Sequence, residues 1–433
     1  LVVRSSKGRF GLSVAMRPSS AALVRVAAAG LSFSLGVLAA RILDVSDFGV
    51  LSLLLAGANI GVVVALLGHE DLASRNASIA TATGDARGLE AYRAYTTRNI
   101  LTAGLVVSTV GVLVYGVSLS GFRSRDWIVL VSFTVILVCA VRTRYAQSLV
   151  RGKHYPALAL IPDGIVRVGL GLFLLAAIAA TEAGSLQAVA VALAAAAVVG
   201  LVTALKFERE LVPLSPSARE TTTQTRRFSP HLYTSSILGI LGSQMALLLT
   251  GHLAGSTSAA FYAAADRVAS ATAIAPQALY WAIAPTISRL HTLGDSAGLA
   301  TVLRRYTRLA AGVTAVMMLA IGLLSAPVLG MFGPAYVSAK YALTILLLAT
   351  FLSTAAGPTG MVLVMTRHEG LHAAALAVSL SVQLILSLAL IPRFGPLGAA
   401  GATLVFTLLW NGLMLLAIRQ RLGLGPLLAW TQG

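Results

Sequence analysis

The chain has 433 residues, 57% of them hydrophobic and 11% charged, with a formal net charge of +17 and a mean hydropathy of +0.85. These values exclude a soluble globular protein and indicate a polytopic membrane protein. The basic balance would suggest nucleic acid in a soluble chain, so the placement of the charges has to decide its meaning.

Leu1 to Ser20 is polar and basic and reads as an extramembrane tail, with Met16 an alternative start. Ala21 to Leu43 is too long for a signal core and lacks a cleavage site, so no cleavable signal is expected. Twelve apolar segments of spanning length follow, near 22–43, 48–68, 99–121, 127–147, 156–180, 185–205, 231–253, 259–288, 307–331, 341–365, 371–391 and 398–418. Each approaches the twenty residues that an α-helix needs to cross the hydrocarbon core.

The first two segments are joined tightly. Gly36 to Gly57 reads GVLAARILDVSDFGVLSLLLAG, an apolar helix, a short polar turn at Asp44, Ser46 and Asp47, and a second apolar helix. A similar layout recurs from Leu247 to Val268, LLLTGHLAGSTSAAFYAAADRV, where His252 stands near the place of Arg41. Two such hairpins predict tandem halves, the parallel-repeat arrangement of many transporters. The polar stretch 206–230, rich in Ser, Thr, Pro and Arg, is the expected linker. The predicted organisation is an all-α integral membrane protein: tail 1–21, six-helix bundle 22–205, linker 206–230, a pseudo-symmetric six-helix bundle 231–418, and tail 419–433.

With the N-terminus inside, 24 of the 32 Lys and Arg residues fall in cytoplasmic segments and 5 in outer loops. The remaining three, Arg25, Arg167 and Arg267, lie within spans. This asymmetry predicts both termini in the cytoplasm and removes the case for nucleic acid. Cys139 is the single cysteine and forms no internal disulfide.

Motifs of soluble enzymes are missing. Gly152-Lys153 is followed by His154 rather than the Ser or Thr of a phosphate-binding loop. No paired CxxC, HExxH or dinucleotide fingerprint occurs, and the seven histidines are scattered, so neither a metal nor another cofactor is expected. The informative residues are charges within spans, because these are costly in a bilayer. Asp163 and Arg167 are four apart on one face of the fifth span, where they can pair, either as an ion or headgroup site or as a neutral helix tie. Asp266 and Arg267 are neighbours about 100° apart around the helix, which implies different partners. Gln244, His252 and Gln383 serve as either interhelical hydrogen bonds or ligand contacts. Gly357, Pro358 and Gly360 interrupt the tenth span and mark a hinge or a routine kink. Pro162, Pro276 and Pro285 mark further kinks.

Several stretches resemble the polysaccharide (O-antigen type) flippases of the multidrug, oligosaccharidyl-lipid and polysaccharide transporter superfamily. They are LAARILDVSDFGVLSL at 38–53, FSPHLYTSSILGILGSQMALLLTGHLAG at 228–255, FGPAY at 332–336 and IPRFGPLGAAGATLV at 391–405. Two features depart from relatives: Gln244 stands where an acidic residue is frequent, and twelve spans are found where lipid II flippases have fourteen. The resemblance implies two six-helix bundles around a central cavity with alternating access. It also implies cationic residues that meet a lipid-linked pyrophosphate, for which Arg25, Arg41, His252 and Arg267 stand in position. Asp163, Arg167 and Asp266 become the ion or coupling positions. The implied partners are a lipid-linked oligosaccharide, membrane lipids and glycan-assembly proteins, around a monomer in a bacterial cytoplasmic membrane.

Three other readings compete. A cation-coupled multidrug exporter of the same superfamily shares the spans but calls for buried carboxylates. A membrane glycosyltransferase or polymerase rests on Asp44 and Asp47 alone, in a turn that N-cap chemistry explains. A scaffold has no positive feature in its favour.

Overall fold

The computed structural model describes residues 18–83, 86–118, 126–181, 184–212, 230–366 and 368–423. The basic tail up to 17, the linker from 213 to 229, Arg123, Arg125, Arg367 and the end of the chain lie outside the described residues. Every regular element among the described residues is helical. Eleven helices are long and apolar enough to cross a membrane.

The chain divides into two compact units. The first comprises Leu1–Leu35 and Gly61–Ser229, and the second Gly36–Ile60 and Pro230–Gly433. The first two helices, α1 (Pro18–Ile42) and α2 (Val45–Ala65), therefore contribute to both, and the hairpin between them belongs to the second.

In the first unit the helices are α3 (His69–Thr83), α4 (Ala86–Ser118), α5 (Asp126–Gly152), α6 (Pro156–Ile161), α7 (Val168–Ala180) and α8 (Leu186–Leu211). The stretch Pro162–Arg167 between α6 and α7 is a π-helical turn. Pro162 has no N–H to donate to the preceding turn, and a widened turn absorbs that loss without ending the helix. Helix α8 presents Ala190, Ala194, Ala197, Gly200 and Ala204 on buried positions, and small side chains permit its close approach to α5 and to the π-turn. Ser185 caps α8 by accepting from the Ala188 amide at 3.2 Å.

One ion triad is buried in this unit. Glu208, 1% exposed, accepts from Arg93 Nη2 at 2.6 Å and pairs with Arg142 Nη2 at 2.7 Å. Arg93 Nη1 also donates to the carbonyl of Val212 at 2.9 Å, which satisfies the end of α8. One carboxylate thus ties α4, α5 and α8 together.

The second unit holds α9 (Pro230–Ala271), α10 (Ile274–Thr292), α11 (Ser296–Leu323), α12 (Ser325–Gly330), α13 (Lys340–Ala356), α14 (Thr359–Met365), α15 (Glu369–Phe394) and α16 (Pro396–Leu422). The count of eleven takes Pro230–Ala271 as one span, although its 42 residues comprise two helices that meet at Gly255, where the sequence pattern places a turn. Gly255 interrupts it at φ 85° and ψ 167°, where glycine alone is comfortable, and divides it into two limbs. The expected segment 259–288 is also broken, at Thr272–Ala273, before α10 restarts with Pro276 in its first turn. Proline is tolerated there because that N–H has no intrahelical partner.

The hairpin between α1 and α2 is held to the second unit by close backbone approach. A side chain at Gly49 would run into the backbone carbonyl of Ser256. Ser46 Oγ and Ser256 Oγ lie 2.7 Å apart, and Leu53 covers Gly251. The two stretches that share a sequence pattern are therefore packed on each other. Replacing Gly49 with Ala is expected to cost about 1–3 kcal/mol, the usual penalty of overpacking. A melting temperature unchanged from wild type in detergent would contradict it.

Candidate functional site

The second unit contains a cavity of about 670 Å3. Asp266 on α9, Gln277 and Tyr280 on α10, and His372 on α15 contribute to its wall. Its far side is the interruption of the tenth span, Gly357, Pro358 and Gly360, with Asn411 of α16 beside it. The break forms because Gly357 adopts φ 87° and ψ −173° and Pro358 starts the next helix.

Side-chain bonds replace the backbone bonds lost at that break. The Tyr280 hydroxyl donates to the Thr354 carbonyl at 2.7 Å. Thr359 Oγ1 donates to Asn411 Oδ1 at 3.2 Å, and Asn411 Nδ2 donates to the Thr407 carbonyl at 2.9 Å. The interruption is thus supported from two neighbouring helices, which lets non-helical backbone persist at membrane depth.

Arg267 follows Asp266 but points elsewhere. Its guanidinium lies on the backbone of α1 at Gly36, where a Cβ would overlap Nη1 and come within 2.7 Å of Cδ. Gly36 is therefore the seat of Arg267. Among the described residues no carboxylate is within ion-pairing distance of either Arg267 or, from the cationic side, Asp266. Both are half-buried.

The other cationic positions have different surroundings. Arg41 is exposed, and its Nε donates to the Met331 carbonyl at 2.7 Å while Nη2 donates to that of Gly330 at 3.3 Å. It closes the C-terminal end of α12, a favourable place for a cation. His252 is exposed three residues before the Gly255 break. Arg25 belongs to the first unit, half-buried and within electrostatic reach of Arg151.

Asp163 and Arg167 are also in the first unit, within the π-turn. Arg167 Nε donates to Asp163 Oδ1 at 2.6 Å, and the two side chains remain about a third exposed, at 32% and 35%. Gly200 of α8 packs on the Arg167 Cβ and on the Pro162 carbonyl. Asp163→Ala is expected to harm expression and stability more than Asp163→Ala with Arg167→Ala, because the single change strands a charge. Equal damage from both, measured by fluorescence-detected gel filtration, would argue against mutual neutralisation.

Gln244 and Gln383 part ways. Gln244 Nε2 donates to Ser243 Oγ at 3.3 Å, its neighbour on the same helix, whereas Gln383 Nε2 reaches the Gly242 carbonyl of another helix at 3.5 Å. Sequence reasoning overlooked His372, Asn411, Tyr280 and the Gly36 seat. His372 and Asn411 carried a usable signal, as polar residues at span positions; Gly36 carried none, since its role depends on a helix two hundred residues away.

The family model described as polysaccharide biosynthesis protein matches residues 19–291. No curated protein sequence matches the chain. Among solved structures, the chain is similar to a multidrug resistance MATE family transporter of the MOP superfamily in an inward-facing conformation. There the identity is 14%, the TM-score 0.69, and the match covers 93% of this chain and 98% of the other. It is similar to a MOP superfamily transporter from Pyrococcus furiosus, described as having a binding pocket of reverse polarity, at 14% identity and TM-score 0.65 over 96% and 99% of the two chains. It is also similar to the lipid II flippase MurJ in an inward closed conformation, at 13% identity and TM-score 0.60 over 89% and 87%. With the model matched over more than half its length and the helical architecture shared with these transporters, the chain belongs to the polysaccharide biosynthesis protein family and has the fold of the MOP superfamily.

Proposed function

We propose that this protein is a flippase that moves a polyprenyl-pyrophosphate-linked oligosaccharide from the inner to the outer leaflet of a bacterial cytoplasmic membrane, for cell-surface polysaccharide synthesis. Membership of the polysaccharide biosynthesis family supports the substrate class. The observation that carries the reading is Arg267, a half-buried guanidinium in a spanning helix with no carboxylate in ion-pairing distance among the described residues. A cation held there needs a counter-charge, and a pyrophosphate supplies one that Arg grips through two parallel hydrogen bonds.

The driving force need not be chemical. One charge crossing the membrane potential is worth about 2.3 kcal/mol per 100 mV, so a doubly charged pyrophosphate moving outward gains roughly 5 kcal/mol. On this reading the protein lowers the barrier with a polar, cationic route, and both termini face the cytoplasm.

A second reading, a cation-coupled exporter, is favoured by one feature: the Asp266 carboxylate in the wall of the 670 Å3 cavity. Reconstituted vesicles distinguish the two. A fluorescent short-chain polyprenyl-pyrophosphate sugar placed in one leaflet should become accessible to a membrane-impermeant quencher only in vesicles that contain the protein. Uptake of a lipophilic cation with no movement of the pyrophosphate lipid would replace the flippase reading with the exporter one.

A further inference from the structure

Helix α15 carries a line of polar side chains that neither the cavity chemistry nor the transported lipid explains. His372, Ser379, Gln383 and Ser387 lie within about 80° of one another around an ideal helix, and they extend about 22 Å along it. That is most of a hydrocarbon core of about 30 Å. Ser379, Gln383 and Ser387 are each 0% exposed. In all four residues a buried polar atom lacks a protein hydrogen-bond partner: His372 Nδ1, Ser379 Oγ, Gln383 Oε1 and Ser387 Oγ.

The facing helix repeats the feature. Gln383 reaches the Gly242 carbonyl on α9, and Ser235, seven residues earlier, shares the Gly242 face of that helix. Ser235 Oγ is likewise buried without a protein partner. Phe406 of α16 closes the third side, with its ring where a side chain at Gly242 would sit.

Five unpartnered polar groups along one interface would cost about 1–3 kcal/mol each if they stayed dry. Buried polar groups in proteins are almost always bonded, and where protein supplies no partner, ordered water does.

We propose that the seam between α9, α15 and α16 binds a file of water molecules along Ser387, Gln383 and Ser379 that reaches the cavity at His372, a path along which a proton can move. Each orphan group accepts or donates to one water. Gln383 is the central member, because it bridges α15 to α9 through its amide and leaves its carbonyl oxygen for the file. The inference is independent of what the protein transports.

Bound water is read directly by X-ray radiolysis, which oxidises side chains beside ordered water within milliseconds, even where bulk solvent is excluded. In the full-length wild-type protein, Leu376 and Phe406, 2% and 7% exposed, border the seam, whereas Leu329 of α12, 0% exposed, lies in the same unit outside the hydrophobic cluster that Leu376 and Phe406 share. Leu376 and Phe406 should be oxidised roughly fivefold faster than Leu329, as expected for residues in contact with internal water. Gln383→Leu should remove that excess. Oxidation of Leu376 and Phe406 no faster than Leu329 in wild type overturns the proposal, whether or not the variant folds. An excess that survives Gln383→Leu also overturns it, because the water is then not held by Gln383.

Discussion

Replacing Glu208 with alanine is expected to cost about 3–5 kcal/mol of stability, the penalty of breaking a buried ion network from one side. The carboxylate is the shared counter-charge of Arg93 and Arg142. Removing it leaves two guanidiniums, each only 12% exposed, without a counter-charge, though Arg93 keeps its bond to the Val212 carbonyl. Arg142 Nη1 already lacks a hydrogen-bond partner, so little remains to absorb the loss. Glu208→Gln should be milder, because an amide still accepts one bond from Arg93. Replacing Glu208, Arg93 and Arg142 together with Leu and Met should restore most of the stability, as apolar triads of similar volume often do. Thermal unfolding of purified protein in detergent reads all three. A loss below about 1 kcal/mol for Glu208→Ala, the size of an exposed pair, would mean that water reaches the triad freely.

The second large effect concerns Arg267. Its replacement with Ala should lower lipid flipping about 10- to 100-fold while the protein still inserts and folds, from the roughly 1.5–3 kcal/mol of a hydrogen bond to a charged group. Lysine should rescue only in part, since an ammonium lacks the planar fork that matches a phosphate. Gly36→Ala should reproduce much of the loss without touching the charge, because a methyl group occupies the place of the guanidinium. Adding Gly36→Ala to Arg267→Ala should then have little further effect, the non-additivity expected when one residue acts through the other. Full flipping activity in Arg267→Ala would remove the pyrophosphate role. Full activity in Gly36→Ala alone, with Arg267→Ala inactive, would remove only the seat.

Both predictions depend on residues whose partners are distant in sequence, and this is where sequence reading stops. Asp163 and Arg167 could be paired from their spacing because a helix brings positions i and i+4 together wherever it lies. The turn that carries them was not legible: Pro162 signalled a kink, but its resolution as a π-turn depends on Gly200 packing against it. Arg41 and Arg267 looked equivalent as cations in corresponding hairpins. The structure distinguishes them, one bound to the carbonyls that end α12 and the other laid on Gly36 with no carboxylate at ion-pairing distance among the described residues. Glu208 falls within the stretch expected as a polar linker, yet it is among the most buried charges described.

Hydropathy and spacing alone determined that the chain is a helical membrane protein and roughly where most of its spans lie. These properties are local, since a run of twenty apolar residues must satisfy its own backbone in the bilayer and can do so only as a helix. Only the tertiary structure decided that residues 36–60 pack with the second half and that α15 turns a polar line inward. The reason is that lipid is as apolar as a leucine side chain, so hydrophobicity does not sort helix faces from one another in a membrane. Which faces meet is set by where a glycine lets two backbones touch, as at Gly49 against Ser256, and by which polar groups find partners, neither of which a single helix reveals.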